Sequence, residues 1–214
     1  MTDRNRTIEV ILLDLDNTLY PPEVGLIEAG DKFIADFIAR RLGLPWDEAD
    51  ALRIRTWIEY GATARGLEIE HGIPQREYFA GSIERVPVAD YISTETALAE
   101  MLAALPQRRY VFTNATEVYA ARVLDALGVA ELFEAVFHIE FCGGSPKPEA
   151  GAYQVVLDAI GVDATRVALV DDTEANLGPA ADLGILTMKL GEPPADGRHI
   201  CLADLAELAA ALGN

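Results

Sequence analysis

The stretch Val10-Ile11-Leu12-Leu13-Asp14-Leu15-Asp16-Asn17-Thr18-Leu19-Tyr20 constrains this chain more than any other. Consecutive apolar residues run straight into two aspartates separated by one leucine. An uninterrupted apolar run of this kind reads as a strand covered on both faces, the situation of a parallel sheet. A carboxylate at the end of such a strand is costly to take out of water unless a cation or hydrogen-bond donors are waiting for it. The stretch therefore predicts a strand that ends at a chemical site rather than at a plain turn. Asp14 is expected as a nucleophile, Asp16 as an acid/base, and a metal ion as the missing cation.

The rest of the pattern sets that strand, Ile8–Leu13, in a larger frame. Tyr20-Pro21-Pro22 breaks the chain. Phe33, Ile34, Phe37, Ile38 and Leu42 then form a helical stripe closed by Gly43. Trp46–Tyr60 reads as a second helix, with Ala51, Ile54, Trp57 and Ile58 on one face. Shorter helices are expected over Gly61–Gly72 and Gln75–Ser82, and no strand between Pro21 and Val88. Beyond a linker at Pro87–Ser93 the segments alternate. A helix over Thr94–Leu105 leads to a strand over Arg109–Thr113. A helix over Glu117–Leu127 leads to a strand over Ala135–Ile139, and one over Glu149–Ile160 to a strand over Val167–Val170. A helix ending at Leu183-Gly184 precedes a last strand over Ile185–Leu190. Leu202, Leu205, Leu208 and Leu212 read as a final amphipathic helix. Such alternation implies parallel pairing through crossover helices. The expected fold is α/β: a doubly wound, Rossmann-like, mainly parallel sheet core (residues 1–20 and 93–214) with a helical cap (residues 21–92) inserted after the first strand.

The 214 residues carry 17 Lys and Arg against 35 Asp and Glu, a formal charge of −18. Such a surface repels polyanions, so neither a nucleic acid polymer nor an anionic membrane is an expected partner. A small phosphorylated metabolite is compatible with it where local cations outweigh the overall field. The polar N-terminus and the short apolar run predict neither a signal peptide nor a membrane span, and hence a cytoplasmic location. Cys142 and Cys201 lack metal-ligand spacing and are expected as inert, buried thiols. His71, His138 and His199 are too scattered to hold a soft metal.

Ligands of open parallel sheets bind at the carboxyl ends of the strands. Asp14 and Asp16, Thr113 and Asn114, and Asp171 and Asp172 all fall at such ends, and Lys147 lies in the loop after the third strand. Two like charges about 4 Å apart repel by roughly 4 kcal/mol at an effective dielectric near 20. Four acids beside one lysine therefore call for a hard divalent cation, and Mg2+, which takes one or two carboxylates and keeps room for waters and a phosphate, suits them best. Phosphoryl transfer follows. Mg2+ and Lys147 let two anions meet, Asp14 attacks phosphorus, and Asp16 protonates the leaving oxygen and then activates water. Thr113, with Asn114 beside it, and Lys147 are the expected phosphoryl-binding groups. Helix capping is the plain alternative for Thr113 and Asn114. Tyr20, Tyr60, Arg65 and Tyr91 are candidates to contact the leaving group.

Taken in order, Asp14-Leu15-Asp16-Asn17-Thr18-Leu19, Val111-Phe112-Thr113-Asn114, Lys147-Pro148 and Val170-Asp171-Asp172-Thr173 resemble the four motifs of the haloacid dehalogenase-like phosphatase superfamily. The resemblance covers nearly the whole chain. It implies Asp14 as nucleophile and Asp16 as acid/base. It also implies a Mg2+ held by the Asp14 carboxylate, the Asp16 backbone carbonyl and Asp172, with Asp171 adjacent. Asn176 stands where many relatives carry an acid. Relatives that cleave carbon–halogen bonds lack the second aspartate, so Asp16 favours a phosphatase. Asn17-Thr18-Leu19-Tyr20-Pro21, the segment from Tyr60-Gly61 to Gly66-Leu67, and Asp171-Asp172-Thr173 with Asn176 resemble more narrowly the pyrimidine 5′-nucleotidase branch. The expectation is a Mg2+-dependent phosphomonoesterase acting on a small soluble phosphate, pyrimidine nucleoside monophosphates being one candidate class. A sugar-phosphate or phosphoglycolate phosphatase is the alternative enzyme. A phospho-accepting signalling module that does not turn over is the alternative of another class.

Overall fold

Val10–Leu13 forms strand β1, with all its side chains 0–1% exposed. Alternation sends Val10 and Leu12 to one face and Ile11 and Leu13 to the other, so this burial requires a layer on each side. Each such side chain contributes roughly 1.5–3 kcal/mol on leaving water. The fold is that of a computed structural model, which describes residues 7–195 and 197–213.

Helices α1 (Leu26–Leu42), α2 (Trp46–Tyr60), α3 (Thr63–His71) and α4 (Gln75–Gly81) follow β1. Then come α5 (Thr96–Ala104), β2 (Arg108–Phe112), α6 (Glu117–Leu127), β3 (Ala135–Phe137) and α7 (Ala150–Ile160). The chain ends with β4 (Val167–Asp171), α8 (Glu174–Asp182), β5 (Leu186–Leu190), β6 (Ile200–Leu202) and α9 (Leu208–Leu212). The strands form one sheet in the order β3-β2-β1-β4-β5-β6, and every pairing is parallel. From β1 the chain winds outward through β2 and β3, then returns to β4 on the other side. Such a reversal leaves a crevice at the carboxyl ends of the central strands. Leu13 is in register with Val111 and with Val170, so the next residues, Asp14, Phe112 and Asp171, come level at that edge.

One face of the sheet packs Val10, Leu12, Phe112 and Leu169 against Tyr153 and Val156 of α7 and Leu177 of α8. The Phe112 and Tyr153 rings meet edge to face at 5.3 Å. The chain divides into two compact units: residues up to Pro21 with those from Ser93 onward, and Pro22–Ile92. The second, all-helical unit has its own core of Phe37, Ile38, Ala49, Ala64, Leu67, Ile73 and Tyr78. Gly66 lets α3 close on α2, because a Cβ there would lie 2.5 Å from Thr56 Cβ.

Several expectations are corrected. The stripe Ile54, Trp57 and Ile58 of α2 is exposed (41%, 60% and 71%), and Ala51 is exposed with it. The buried face carries Ala49 and Thr56 instead. Thr56 can be buried because its hydroxyl donates back to Leu52 O at 2.8 Å, and a face this small admits the close approach at Gly66. The tail is not one helix. Leu202 lies in β6, a three-residue edge strand, and the final helix is confined to Leu208–Leu212. The third strand ends at Phe137, two residues short of Ile139. Cys142 is buried, but Cys201, on the edge strand, is exposed. Among the described residues no helix is long and apolar enough to cross a membrane.

Candidate active site

Asp14 follows β1 directly, and its N–H donates to Val170 O at 2.9 Å, which holds it to β4. Lys147, from the loop between β3 and α7, reaches it. The Lys147 ammonium donates to Asp14 Oδ1, Asp171 Oδ2 and Phe112 O, each at 2.7 Å. Those partners use the full donor set of an ammonium, and its side chain is 1% exposed. Burial alone would lower the Lys147 pKa. The Asp14 and Asp171 carboxylates outweigh it and hold the group above the ordinary lysine value, as the cation. The Asp14 carboxyl is pushed up to about 8 by burial, against the pull of Lys147 and with Asp171 and Asp16 adding to the rise. The Lys147 backbone is fixed as well: Asn114 Nδ2 donates to its carbonyl at 2.9 Å, and its N–H donates to Asn114 Oδ1 at 2.7 Å. Asn114, expected among the phosphoryl-binding groups, thus has both ends of its amide engaged in holding Lys147.

Asp171 ends β4, fully buried. Its Oδ1 accepts from Thr173 N at 2.8 Å and from Asn176 Nδ2 at 3.0 Å, and the same Asn176 nitrogen lies 3.1 Å from Oδ2. Asn176 therefore adds donors beside a carboxylate, where an acid would add repulsion. Asp172 is half-buried and accepts from Thr173 Oγ1 at 3.2 Å. Burial, then Asp171, raises its pKa. Thr113 is buried and its Oγ1 accepts from Ala115 N at 3.0 Å. The N-cap of α6 is Thr116, whose Oγ1 accepts from Tyr119 N at 3.3 Å, so capping does not consume Thr113 or Asn114.

Asp16 lies in a tight turn closed by Leu19 N donating to Leu15 O at 3.0 Å. Asn17 takes a left-handed conformation there (φ 57°), which a short amide side chain tolerates. Asp16 Oδ1 accepts from the hydroxyls of Tyr20 and of Tyr119, the latter at 3.1 Å. Burial, then the Asp16 charge, raises both phenols above their ordinary range, so both remain donors. Burial also raises Asp16 itself. Tyr20, a candidate leaving-group contact in the sequence, is thus a partner of Asp16. Tyr119 carries no such signal in the sequence, since a tyrosine inside an amphipathic helix reads as core. Tyr60, Arg65 and Tyr91 belong to the helical unit.

The donor set suits a divalent cation. One ligand atom each from Asp14, Asp171 and Asp172 falls within 4.8 Å of the others. Asp14, Asp16 and Asp172 are all pushed above the ordinary carboxylate value, by burial first. A cation among them would restore their ionised forms. In the adjoining turn Asn17 Oδ1 and Thr18 Oγ1 are buried without a hydrogen-bond partner; both can accept from waters, which Mg2+ commonly retains. Asp171 is bonded to Lys147, Thr173 and Asn176, Asp14 to Lys147, and Asp172 to Thr173.

The family model described as haloacid dehalogenase-like hydrolase matches residues 8–184. Phosphate metabolism protein 8 of Saccharomyces cerevisiae is 24% identical over 206 residues, covering 86% of this chain. The chain spans 62% of the length of that relative. Solved structures that share the fold include the following. The HAD-family protein YfnB of Bacillus subtilis, bound to magnesium, has a TM-score of 0.66 at 16% identity, over 97% of this chain and 100% of its own. A HAD phosphatase of Thermococcus onnurineus has a TM-score of 0.62 at 18% identity, over 96% and 98%. The L-2-haloacid dehalogenase of Xanthobacter autotrophicus has a TM-score of 0.61 at 14% identity, over 97% and 99%.

Proposed function

This chain belongs to the haloacid dehalogenase-like hydrolase family, and from that premise we propose that it is a Mg2+-dependent phosphomonoesterase working through an aspartyl-phosphate on Asp14. The observation that carries the reading is the presence of two differently held carboxyls after one strand. Asp14 is bonded to the Lys147 ammonium and Asp16 to two phenols. A halide leaves without a proton, whereas an alkoxide needs an acid beside it. The second aspartate therefore favours phosphoester over carbon–halogen chemistry.

An Asp14 oxygen attacks phosphorus, the bond from phosphorus to the ester oxygen breaks, and that oxygen takes a proton from Asp16. Water then gives a proton to Asp16 as it attacks the aspartyl-phosphate, releasing phosphate and regenerating Asp14. Lys147 holds Asp14 in place, and the Thr113 hydroxyl, an acceptor from Ala115 N, keeps its own proton for a phosphoryl oxygen. The Asp14 and Asp172 carboxylates and the Asp16 backbone carbonyl would hold the Mg2+, with Asp171 behind them. When bound, the ion neutralises charge between phosphate and nucleophile. YfnB was solved with magnesium, which supports that choice of metal.

The substrate class is a small soluble phosphate, in keeping with a charge of −18 that disfavours polyanions. Pyrimidine nucleoside monophosphates are favoured by the likeness over Asn17–Pro21, Tyr60–Leu67 and Asp171–Thr173 with Asn176, and phosphoglycolate and sugar phosphates are the rivals. The test is phosphate release from a panel of phosphorylated metabolites, with and without Mg2+. Mg2+-dependent release from a monoester, abolished by Asp14→Asn, is expected. Release that survives this substitution would overturn the assignment, and so would a long-lived phosphoprotein with no turnover.

A further inference from the structure

Asp16 Oδ1 is the meeting point of two phenols from separate parts of the chain. Tyr20 follows the turn, four residues on, and Tyr119 sits 103 positions away in α6. Both are buried, at 3% and 1% exposure. Neither depends on an accident of packing. Tyr119 is set by the Thr116 cap on its own N–H, and Tyr20 by the turn that Asn17 permits. An ionised carboxylate oxygen offers about two lone-pair positions, and the two hydroxyls take both on Oδ1. A proton carried by Asp16 is then placed on Oδ2.

We infer that Tyr20 and Tyr119 are positioning residues that reserve Oδ2 of Asp16 for the proton transfers of the reaction. The inference rests on the phosphatase reading and deepens it. Oδ2 hands its proton to the departing ester oxygen and takes one from the attacking water, while Oδ1 stays bonded to the phenols. Without them the carboxyl rotates, and its proton is shared between two oxygens of which one faces the reacting atoms.

The need for a positioned proton depends on the leaving group, and the test uses that dependence. Tyr119→Phe and Tyr20→Phe remove one hydroxyl each and leave the ring. They are compared with the wild type, in Mg2+, on p-nitrophenyl phosphate and on whichever of uridine monophosphate, phosphoglycolate and ribose phosphate is hydrolysed fastest. General acid–base groups contribute about 10²–10⁴-fold, so each variant is expected to lower kcat/KM on the alkyl phosphate by about tenfold. Nitrophenolate leaves without a proton, so kcat/KM on its ester should change by less than about twofold. The kcat on that ester should nonetheless fall, with the phosphoenzyme accumulating, because the water step still needs the base. Equal losses in kcat/KM on both esters, or no loss on either, would overturn the inference. If the wild type is active, Asp14→Asn is dead and the Phe variants lose both esters equally, the phosphatase reading stands and only the positioning role falls. A wild type inert on every ester overturns the reading underneath.

Discussion

Asp14 and Asp16 stand two residues apart and are held in opposite ways. Asp14 is bonded to an ammonium, itself locked between Asp171 and the Phe112 carbonyl. Asp16 is bonded to neutral phenols. A cation beside a carboxylate favours the charged form, which is what the nucleophile proposed above needs. Neutral donors stabilise a carboxylate without tying it to an opposite charge, so the group can gain and lose a proton without stranding a buried partner. In the metal-free fold Lys147 is the cation that opposes the rise burial imposes on Asp14, and the Tyr20 and Tyr119 hydroxyls oppose the rise of Asp16.

The largest effect expected from breaking this contrast is that of Asp14→Asn. It replaces a carboxylate oxygen of the proposed nucleophile in an isosteric side chain, and phosphate release should fall at least about 10⁴-fold, with an unchanged circular dichroism spectrum. Lys147→Met comes next. It removes the ammonium but keeps much of the side-chain volume, and kcat should fall about 10²–10³-fold. The variant also leaves Asp14 and Asp171 buried without their partner, so denaturant melts should show a loss of about 3–5 kcal/mol. Asn176→Asp sharpens the contrast further, because it replaces an amide that donates to Asp171 with a like charge. The metal-free protein should lose about 1–3 kcal/mol, and Mg2+ should recover more of the melting temperature than it adds to the wild type.

A further effect concerns pH. In the metal-free fold Asp14 is raised from 3.8 to about 8, and Asp16 and Asp172 are raised with it, burial being the first cause in each. The folded chain therefore binds more protons than the unfolded one across that interval. By linkage, its stability falls as pH rises from the unfolded value toward the folded one. Mg2+ opposes this by binding the ionised carboxylates. The gain in melting temperature on adding Mg2+ should be larger at the top of the window than at its bottom, as scanning fluorimetry in matched buffers can measure.

The parts of the site that chemistry places at strand ends are legible in the sequence. A carboxylate directly after Val10–Leu13 or after Val167–Val170 could cap a turn or a helix, but at the end of a strand buried on both faces it is costly unless a cation or donors meet it. The parts that hold these groups are not legible. Asn114 and Asn176 act through backbone and carboxylate contacts between residues 33 and 5 positions apart, and an amide in a loop or a helix carries no pattern that announces this. Tyr119 shares its helix with buried Ala120, Val123 and Leu124, so periodicity assigns the ring to the core and says nothing of its hydroxyl. In the sheet, apolar runs and turns reveal the long strands, but β6, Ile200–Leu202, is too short to show a period. In α2 the period itself misleads. Small and self-satisfied residues face inward, and tryptophan and isoleucine face outward.

The most direct measurement is to locate the phosphoryl group. Asp16→Asn should still be phosphorylated by p-nitrophenyl phosphate in Mg2+, since nitrophenolate needs no acid, but it should be slow to release phosphate. Acid quenching and peptide mass spectrometry should then find the phosphoryl group on Asp14. A phosphoryl group on any other residue, or nitrophenol release undiminished when Asp14 is also replaced by Asn, would contradict a covalent mechanism centred on the end of β1.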